Sequence, residues 1–318
     1  MNYFKPAIAA AAITTALASA PFAHAGPAVG LDPTGNRAYG NYADLWTNHT
    51  DTALATGFKS ITPDATSARQ PFVPYLTEMR TQMVIGTMSN GAVLNTPSGL
   101  NSGFELSAVV RFQELVDRQT SSAPGSSSAH FSLPTSQAAA MDVDAQHGGV
   151  QNIAFYLDHF VSGAATSQAA GGNGAGYVRC YGSGSTSAGC GGAGDTDNDG
   201  VLIMSGHLIA LEANATAAGN LSTGAFELSY QIDYVDPLYL DIAAGAVFRS
   251  NVTGAATIPS QQTPATMWDG TLPGSVPLMK FDGSSSFALA AVPEPATLAL
   301  LGLGFVGMAL GRRRQLPS

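Results

Sequence analysis

From Phe104 to Gln113, apolar and polar side chains take turns. Phe104, Leu106, Ala108, Val110 and Phe112 interleave with Glu105, Ser107, Val109, Arg111 and Gln113. The pattern returns more strictly further on, where Phe226, Leu228, Tyr230, Ile232 and Tyr234 interleave with Glu227, Ser229, Gln231 and Asp233. A β-strand points successive side chains to opposite faces, so a period of two requires a strand with one dry face and one wet face. Residues 150–161, 201–211, 238–249 and 276–289 are further strand candidates, separated by loops rich in Gly, Ser or Pro. Gly26–Pro74 reads as a turn-rich entry segment, with a clear turn at Asp32-Pro33-Thr34-Gly35-Asn36. Helical periodicity is weak, and only Tyr75–Val84 and Gln137–Ala145 suggest short helices. The chain therefore predicts an all-β body with the layout of a β-sandwich. Its 36 glycines and 18 prolines among 318 residues agree with many turns and few long helices.

Charge narrows the partners. Only 11% of residues are charged, against about 25% in an ordinary soluble domain. The formal net charge is −9. Lys5, Arg312, Arg313 and Arg314 lie in the end segments, so the body between them is more acidic still. Such a surface repels phosphate backbones and argues against nucleic acid as a partner.

The two ends read as addresses. In Met1–Ala25, Lys5 precedes an alanine-heavy apolar run, and Ala23-His24-Ala25 places small residues before Gly26. These are the parts of a secretory signal cleaved between Ala25 and Gly26. At the other end, Pro293-Glu294-Pro295 is followed by an apolar stretch, Ala296–Gly311, and then by Arg312-Arg313-Arg314. As a helix the stretch is about 24 Å long against a hydrocarbon core of about 30 Å, which suits a transient span of the inner membrane. The arginines hold its end in the cytoplasm.

Pro-Glu-Pro, a short Gly-interrupted apolar helix and a final Arg cluster, in that order, resemble the PEP-CTERM sorting signal. The resemblance implies a membrane-embedded exosortase that cuts near Pro-Glu-Pro and passes the body to the cell surface of a Gram-negative bacterium that makes extracellular polysaccharide. It divides the chain into a signal peptide (1–25), an exported β-rich domain (26–292) and the sorting signal (293–318). It covers roughly the last 26 residues and leaves the role of the body open.

Within the body, Cys180 and Cys190 enclose a nine-residue loop rich in Gly and Ser. In an exported protein such a pair oxidises to a disulfide; a metal or redox pair is the alternative, without the Cys-x-x-Cys spacing. Asp195-Thr196-Asp197-Asn198-Asp199-Gly200 follows. It resembles the first half of a calcium loop of the EF-hand or dockerin type. The resemblance implies Ca2+ held by Asp195, Asp197 and Asp199 through their side chains and by Val201 through its carbonyl. Gly206 stands where the bidentate Glu belongs, and Glu212 is a candidate for a missing ligand.

Catalytic motifs are absent: the sequence has no His-Glu-x-x-His, no Gly-x-Ser-x-Gly and no phosphate loop. Asp142–His147 offers a carboxylate–imidazole combination, and Asp158-His159 with Glu212 offers a carboxylate pair. Trp46 and Trp268 would stack on sugars if exposed and belong to the core if buried. These readings converge on a non-enzymatic surface protein of the extracellular polymer, acting in biofilm or floc formation, with exosortase and extracellular polysaccharide as partners. The overall layout is also similar to that of flocculation-associated PEP-CTERM proteins. A secreted polysaccharide hydrolase or a carbohydrate-binding protein is the alternative.

Intact-mass analysis of the protein from envelope and supernatant fractions checks both addresses. The expected species begins at Gly26 and lacks everything beyond the Pro-Glu-Pro region. A chain that keeps Arg312–Arg314 in the inner membrane would contradict processing.

Overall fold

In the computed structural model, the described residues are 28–47, 51–57, 72–90, 93–100, 103–123, 126–144, 146–159, 201–218, 221–257 and 279–290. They form thirteen strands. In chain order these are β1 (Val29–Leu31), β2 (Gly40–Tyr42), β3 (Asp44–Thr47), β4 (Asp51–Thr56), β5 (Tyr75–Ser89), β6 (Phe104–Ala123) and β7 (Ser126–Ser132). Then come β8 (Ile153–His159), β9 (Val201–Ala218), β10 (Leu221–Val235), β11 (Leu240–Asp241), β12 (Val247–Thr257) and β13 (Met279–Leu289). A single 3-10 turn at Ala139–Met141 is the one helical element among the described residues.

All-β holds, but the sandwich does not. The main sheet runs β5-β4-β13-β12-β10-β9-β7-β6, and β6 pairs back onto β5 along Ser107–Val116. That last ladder closes the sheet into an eight-stave barrel, because the alternation that gives a sandwich strand its dry face serves a barrel wall equally well. β3 extends the stave of β4, since both lie between β13 and β5. β8 likewise extends the stave of β7 between β6 and β9.

The alternating residues fill the lumen. Phe104, Leu106, Ala108, Val110 and Phe112 of β6 and Phe226, Leu228, Tyr230 and Ile232 of β10 are buried in one core. Phe155 on β8 reaches across to Phe248 on β12 and Phe287 on β13, edge to face at 5.9 and 5.3 Å. Eight staves leave an interior just wide enough for such side chains. The outward positions are polar: Glu78 on β5 accepts from Nε of both Arg80 and Arg111, at 2.6 and 2.8 Å. A membrane barrel would reverse this arrangement, with its apolar band outside.

A small sheet, β11-β1-β2, adds Val29, Leu31, Tyr42 and Leu240 to the same core. The seam with the barrel leaves a void of only about 10 Å³ among Leu45, Leu106, Phe155 and Ile203. The turn read from Asp32-Pro33-Thr34-Gly35-Asn36 follows β1 directly. Buried Asp32 accepts from the backbone of Thr34 and Ala38 and from the Thr34 hydroxyl. The Thr34 hydroxyl is the largest influence, and against the opposing effect of burial these bonds hold the carboxyl down at about 2. The entry segment thus contains four strands as well as turns.

Two helix expectations fail. Tyr75–Val84 is strand β5, paired with β4 on one side and β6 on the other. Gln137–Ala145 yields only the Ala139–Met141 turn. The Ser-rich ends of β6 and β7 pair with each other, Thr120 with Ser128 and Ser121 with Ser127. The signal segment and the C-terminal apolar stretch lie outside the described residues. Among the described residues no helix is long and apolar enough to cross a membrane.

The shared stave is broken. Between Ser132 and Ile153 the chain leaves the wall, so the facing groups of β6 and β9 lose their ladder partners. Side-chain amides replace them. Asn152 donates through Nδ2 to the Arg111 carbonyl and accepts at Oδ1 from the Leu208 N–H, both at 3.0 Å. Gln137 accepts from the Gln113 N–H at 2.7 Å and returns a bond to its carbonyl at 2.9 Å.

An orphaned buried backbone group costs about 1–3 kcal/mol. Asn152→Leu orphans two such groups and should lower unfolding free energy by roughly 3 kcal/mol in urea titrations. A loss below about 0.5 kcal/mol, the level of an ordinary surface substitution, would contradict this account.

Candidate binding groove on the barrel wall

The detour from Leu133 to Asn152 folds over the outer face of the wall and holds itself there through short polar bonds. Asp142 Oδ1 accepts from the backbone of Asp144 and Gln151, at 3.1 and 3.0 Å. Asp144 Oδ2 accepts from the Ser205 hydroxyl of β9 and meets His147 Nδ1, each at 2.6 Å. The His147 ring stacks on Tyr234 of β10, with centroids 3.7 Å apart. Beneath the detour, Val84, Val109, Ala154 and Tyr156 form a second small core. Burial first, then the nearby Asp144 and Asp142 charges, push the Tyr156 phenol up to about 12.

Two irregularities in the β9–β10 ladder shape this region. Ile232 pairs with Gly206 and Tyr234 with Ser205, which leaves Asp233 as the extra residue of a β-bulge. The bulge flips the parity of β10: Tyr234, read from sequence as the fifth member of the dry face, turns outward onto His147. Bulges re-aim side chains in this way. Gly206 is needed opposite it, since a Cβ there would lie 2.3 Å from the Gln231 carbonyl oxygen.

Between the 148–152 segment, Gln137 and the outer face of β9 and β10 lies a groove of about 500 Å³. Its far side is a second imidazole–carboxylate pair, His207 Nδ1 to Asp233 Oδ2 at 2.6 Å. Gln151 lines the near side; it is 1% exposed, donates through Nε2 to the Gly148 carbonyl, and has no partner for Oε1. Gly149 turns the lip at φ 95°. Of these residues, sequence reasoning found only the Asp142–His147 stretch. The structure makes Asp144–His147 a bonded pair, while Asp142 serves the backbone. Gln151, Asn152, Ser205, His207 and Asp233 carried no spacing signal, because a bulge and a broken stave bring them together.

Other readings separate in space. Glu212 lies on β9 eleven positions beyond Val201, roughly 35 Å along the strand, and its Oε1 bonds His130 Nε2 at 2.6 Å. It cannot complete a cation site at Val201. It cannot pair with Asp158 either, because β8 runs beside the Val201 end of β9. Gly206, the departure from the calcium-loop pattern, has its own reason in the bulge. Val201 itself opens β9 and is exposed. Asp195, Asp197, Asp199, Cys180, Cys190, Trp268, Ala25, Gly26, Pro293, Glu294, Pro295 and Arg312–Arg314 lie outside the described residues. No group of three His, Cys, Asp or Glu among the described residues is arranged for a metal ion.

Two titrating groups stand elsewhere in the barrel. His130 on β7 bridges Asp117 on β6 and Glu212 on β9, with Nδ1 and Nε2 each 2.6 Å from a carboxylate. Both nitrogens can donate only in the imidazolium form. The bond to Glu212, then that to Asp117, raises the imidazole above its ordinary 6.5. Inside the lumen, Glu114 accepts from the Thr77 hydroxyl at 2.9 Å, and its other oxygen has no partner. Burial pushes this carboxyl up to about 7, against the Thr77 bond.

Residues 291–315 match the PEP-CTERM protein-sorting motif. The chain is thus an exported protein that passes through a membrane intermediate to the cell surface, with an exosortase as its processing partner. No curated protein and no solved structure matches the chain.

Above about pH 4.5 stability should fall as pH rises, in two steps. A carboxyl raised from 4.5 to about 7 destabilises the fold as it ionises across that window. The raised His130 contributes fully below pH 6.5 and loses its contribution as pH climbs through its folded value. Glu114→Gln should flatten the first step in urea midpoints. His130→Gln should flatten the second, by about 1 kcal/mol at most for a partly exposed pair. Midpoints that do not change with pH in the unsubstituted protein would refute both assignments.

Proposed function

We propose that the protein is a non-enzymatic structural component of the extracellular polymer of a Gram-negative bacterium, acting in biofilm or floc formation. The observation that carries the reading is the sorting motif attached to a filled barrel with a polar wall. Its lumen is occupied by Phe155, Phe248, Phe287 and their neighbours, so the wall and its groove are the surfaces that meet other molecules. The groove supports a polymer partner, as its mouth lies on the outer face where a long chain can pass. The Ser205 hydroxyl donates to Asp144, which leaves that serine unlike an imidazole-activated nucleophile.

Extracellular polysaccharide is the partner this reading names, and retention at the cell surface or in the matrix is its setting. Calcium held by Asp195, Asp197, Asp199 and the Val201 carbonyl belongs to the same proposal, as a cation available outside the cell. So does a disulfide between Cys180 and Cys190.

A deletion strain tests the role. Cells lacking the protein should stay dispersed and settle slowly, with recovery when the gene is restored. Normal settling and normal matrix content in the deletion strain would sink the proposal.

A further inference from the structure

The groove has unused hydrogen-bonding capacity of both kinds. Gln151 Oε1 is buried and unpartnered. Asp233 spends Oδ2 on His207, which leaves Oδ1 free to accept. His207 presents Nε2, which donates or accepts according to the tautomer of the ring. Gln137, Gln151 and Asn152 each commit one amide hydrogen, to Gln113, Gly148 and Arg111, and keep a second N–H. The groove thus sets acceptors beside spare amide donors, and the complementary ligand must both donate and accept.

Charge and volume select among donors. A phosphate, sulfate or carboxylate brings negative charge and no donor to Asp233, and is disfavoured there. A bare divalent cation needs oxygen ligands at about 2.0–2.6 Å, which a space of this size does not bring together. A volume of about 500 Å³ lies within the range of small-molecule sites, about 300–1,000 Å³. A neutral ring bearing several hydroxyls meets all the conditions.

The site is also held in shape before any ligand arrives. The lip carrying Gly148 and Gly149 is fixed from both sides, by the His147–Tyr234 stack and by the Asp142 bond to the Gln151 N–H. The bulge fixes Asp233. Little ordering cost remains to be met on binding.

We propose that this groove, formed by the 148–152 segment with His207 and Asp233, binds a neutral sugar ring of an extracellular polysaccharide. Hydroxyls donate to Asp233 Oδ1 and exchange a hydrogen bond with His207 Nε2, while the Gly148–Gly149 lip lets the ring approach the backbone closely. The source of the sugar rests on the matrix role proposed above; the hydroxyl chemistry does not.

The test is calorimetric titration of the processed protein with xylohexaose, maltohexaose, cellohexaose and mannohexaose, and with glucose, xylose, mannose and alginate. At least one neutral hexamer should bind. His207→Ala and Asp233→Leu should each weaken it about tenfold or more. Glu227→Gln, exposed on β10 outside the groove, should leave it unchanged. Urea midpoints of the variants within the range of ordinary surface substitutions show that any loss is not unfolding.

No binding to any neutral hexamer at millimolar concentration would overturn the proposal. So would binding that both groove variants retain, or binding to alginate alone. Monosaccharides that bind as tightly as the hexamers would overturn the assignment to a polymer. A dispersed deletion strain together with no sugar binding would remove the groove assignment and leave the matrix role. Normal settling together with groove-dependent binding would do the reverse.

Discussion

The ladder between β5 and β6 is the constraint on which the rest depends. Ten consecutive residues, Tyr75–Val84, pair with Ser107–Val116, and this join turns an open sheet into a barrel. An open sheet with strands of fifteen to twenty residues would present two long edges to solvent, each a template for aggregation. Closure removes the edges of the ring and lets the alternating residues of every stave share one dry interior. Phe155 can reach Phe248 and Phe287 only because the ring has closed around them. The polar wall follows from the same geometry, since every second residue must face outward.

Closure leaves one stave to be completed by two separate strands. β7 and β8 do not meet, and the gap between them is where the wall acquires chemistry. Asn152 and Gln137 stand in for a missing strand, so the backbone of β6 and β9 stays satisfied while the chain makes its detour. The freed segment folds back over Val109 and Tyr156 and becomes one side of the groove. The other side exists because Asp233 is an extra residue in β10. Without the bulge, Tyr234 would point into the lumen and Asp233 would lose its place beside His207. Gly206 then has to be glycine, as the backbones close to a distance that excludes a Cβ.

Much of the strand content was legible from period-two alternation, and the C-terminal address was legible from three parts in order. Barrel or sandwich was not, because both use the same alternation and differ only in whether β5 meets β6. Tyr75–Val84 looked helical because Leu76, Met79 and Met83 also fit a spacing of three and four. Yet Met79 and Met83 are buried while Glu78 and Arg80 lie outward, as a strand requires. The repeated Phe-Glu-Leu-Ser shows the limit of local reading. In Phe104–Ser107 and Phe226–Ser229 the Phe and Leu are buried alike, but Glu105 is buried at 2% exposure while Glu227 is exposed, so identical polar residues occupy unlike places. The groove was the least legible part, since its residues come from a bulge and a broken stave, neither of which has a period.

The sorting motif and the barrel also constrain each other. Ala290 still donates to the Val247 carbonyl at 2.7 Å, and Pro293 stands only three positions further along. Extended chain between them reaches about 10 Å, so only a short connection separates the barrel from the Pro-Glu-Pro motif. A protease cutting near Pro-Glu-Pro would meet its target beside a folded body. Its access depends on the last residues of β13, whose loss from the wall would release the Ala290 bond and then the pairing of Leu289 with Phe248. Ladder ends open at far lower free energy than the core, so the end of β13 that leads into the sorting motif is a part of the wall that yields readily.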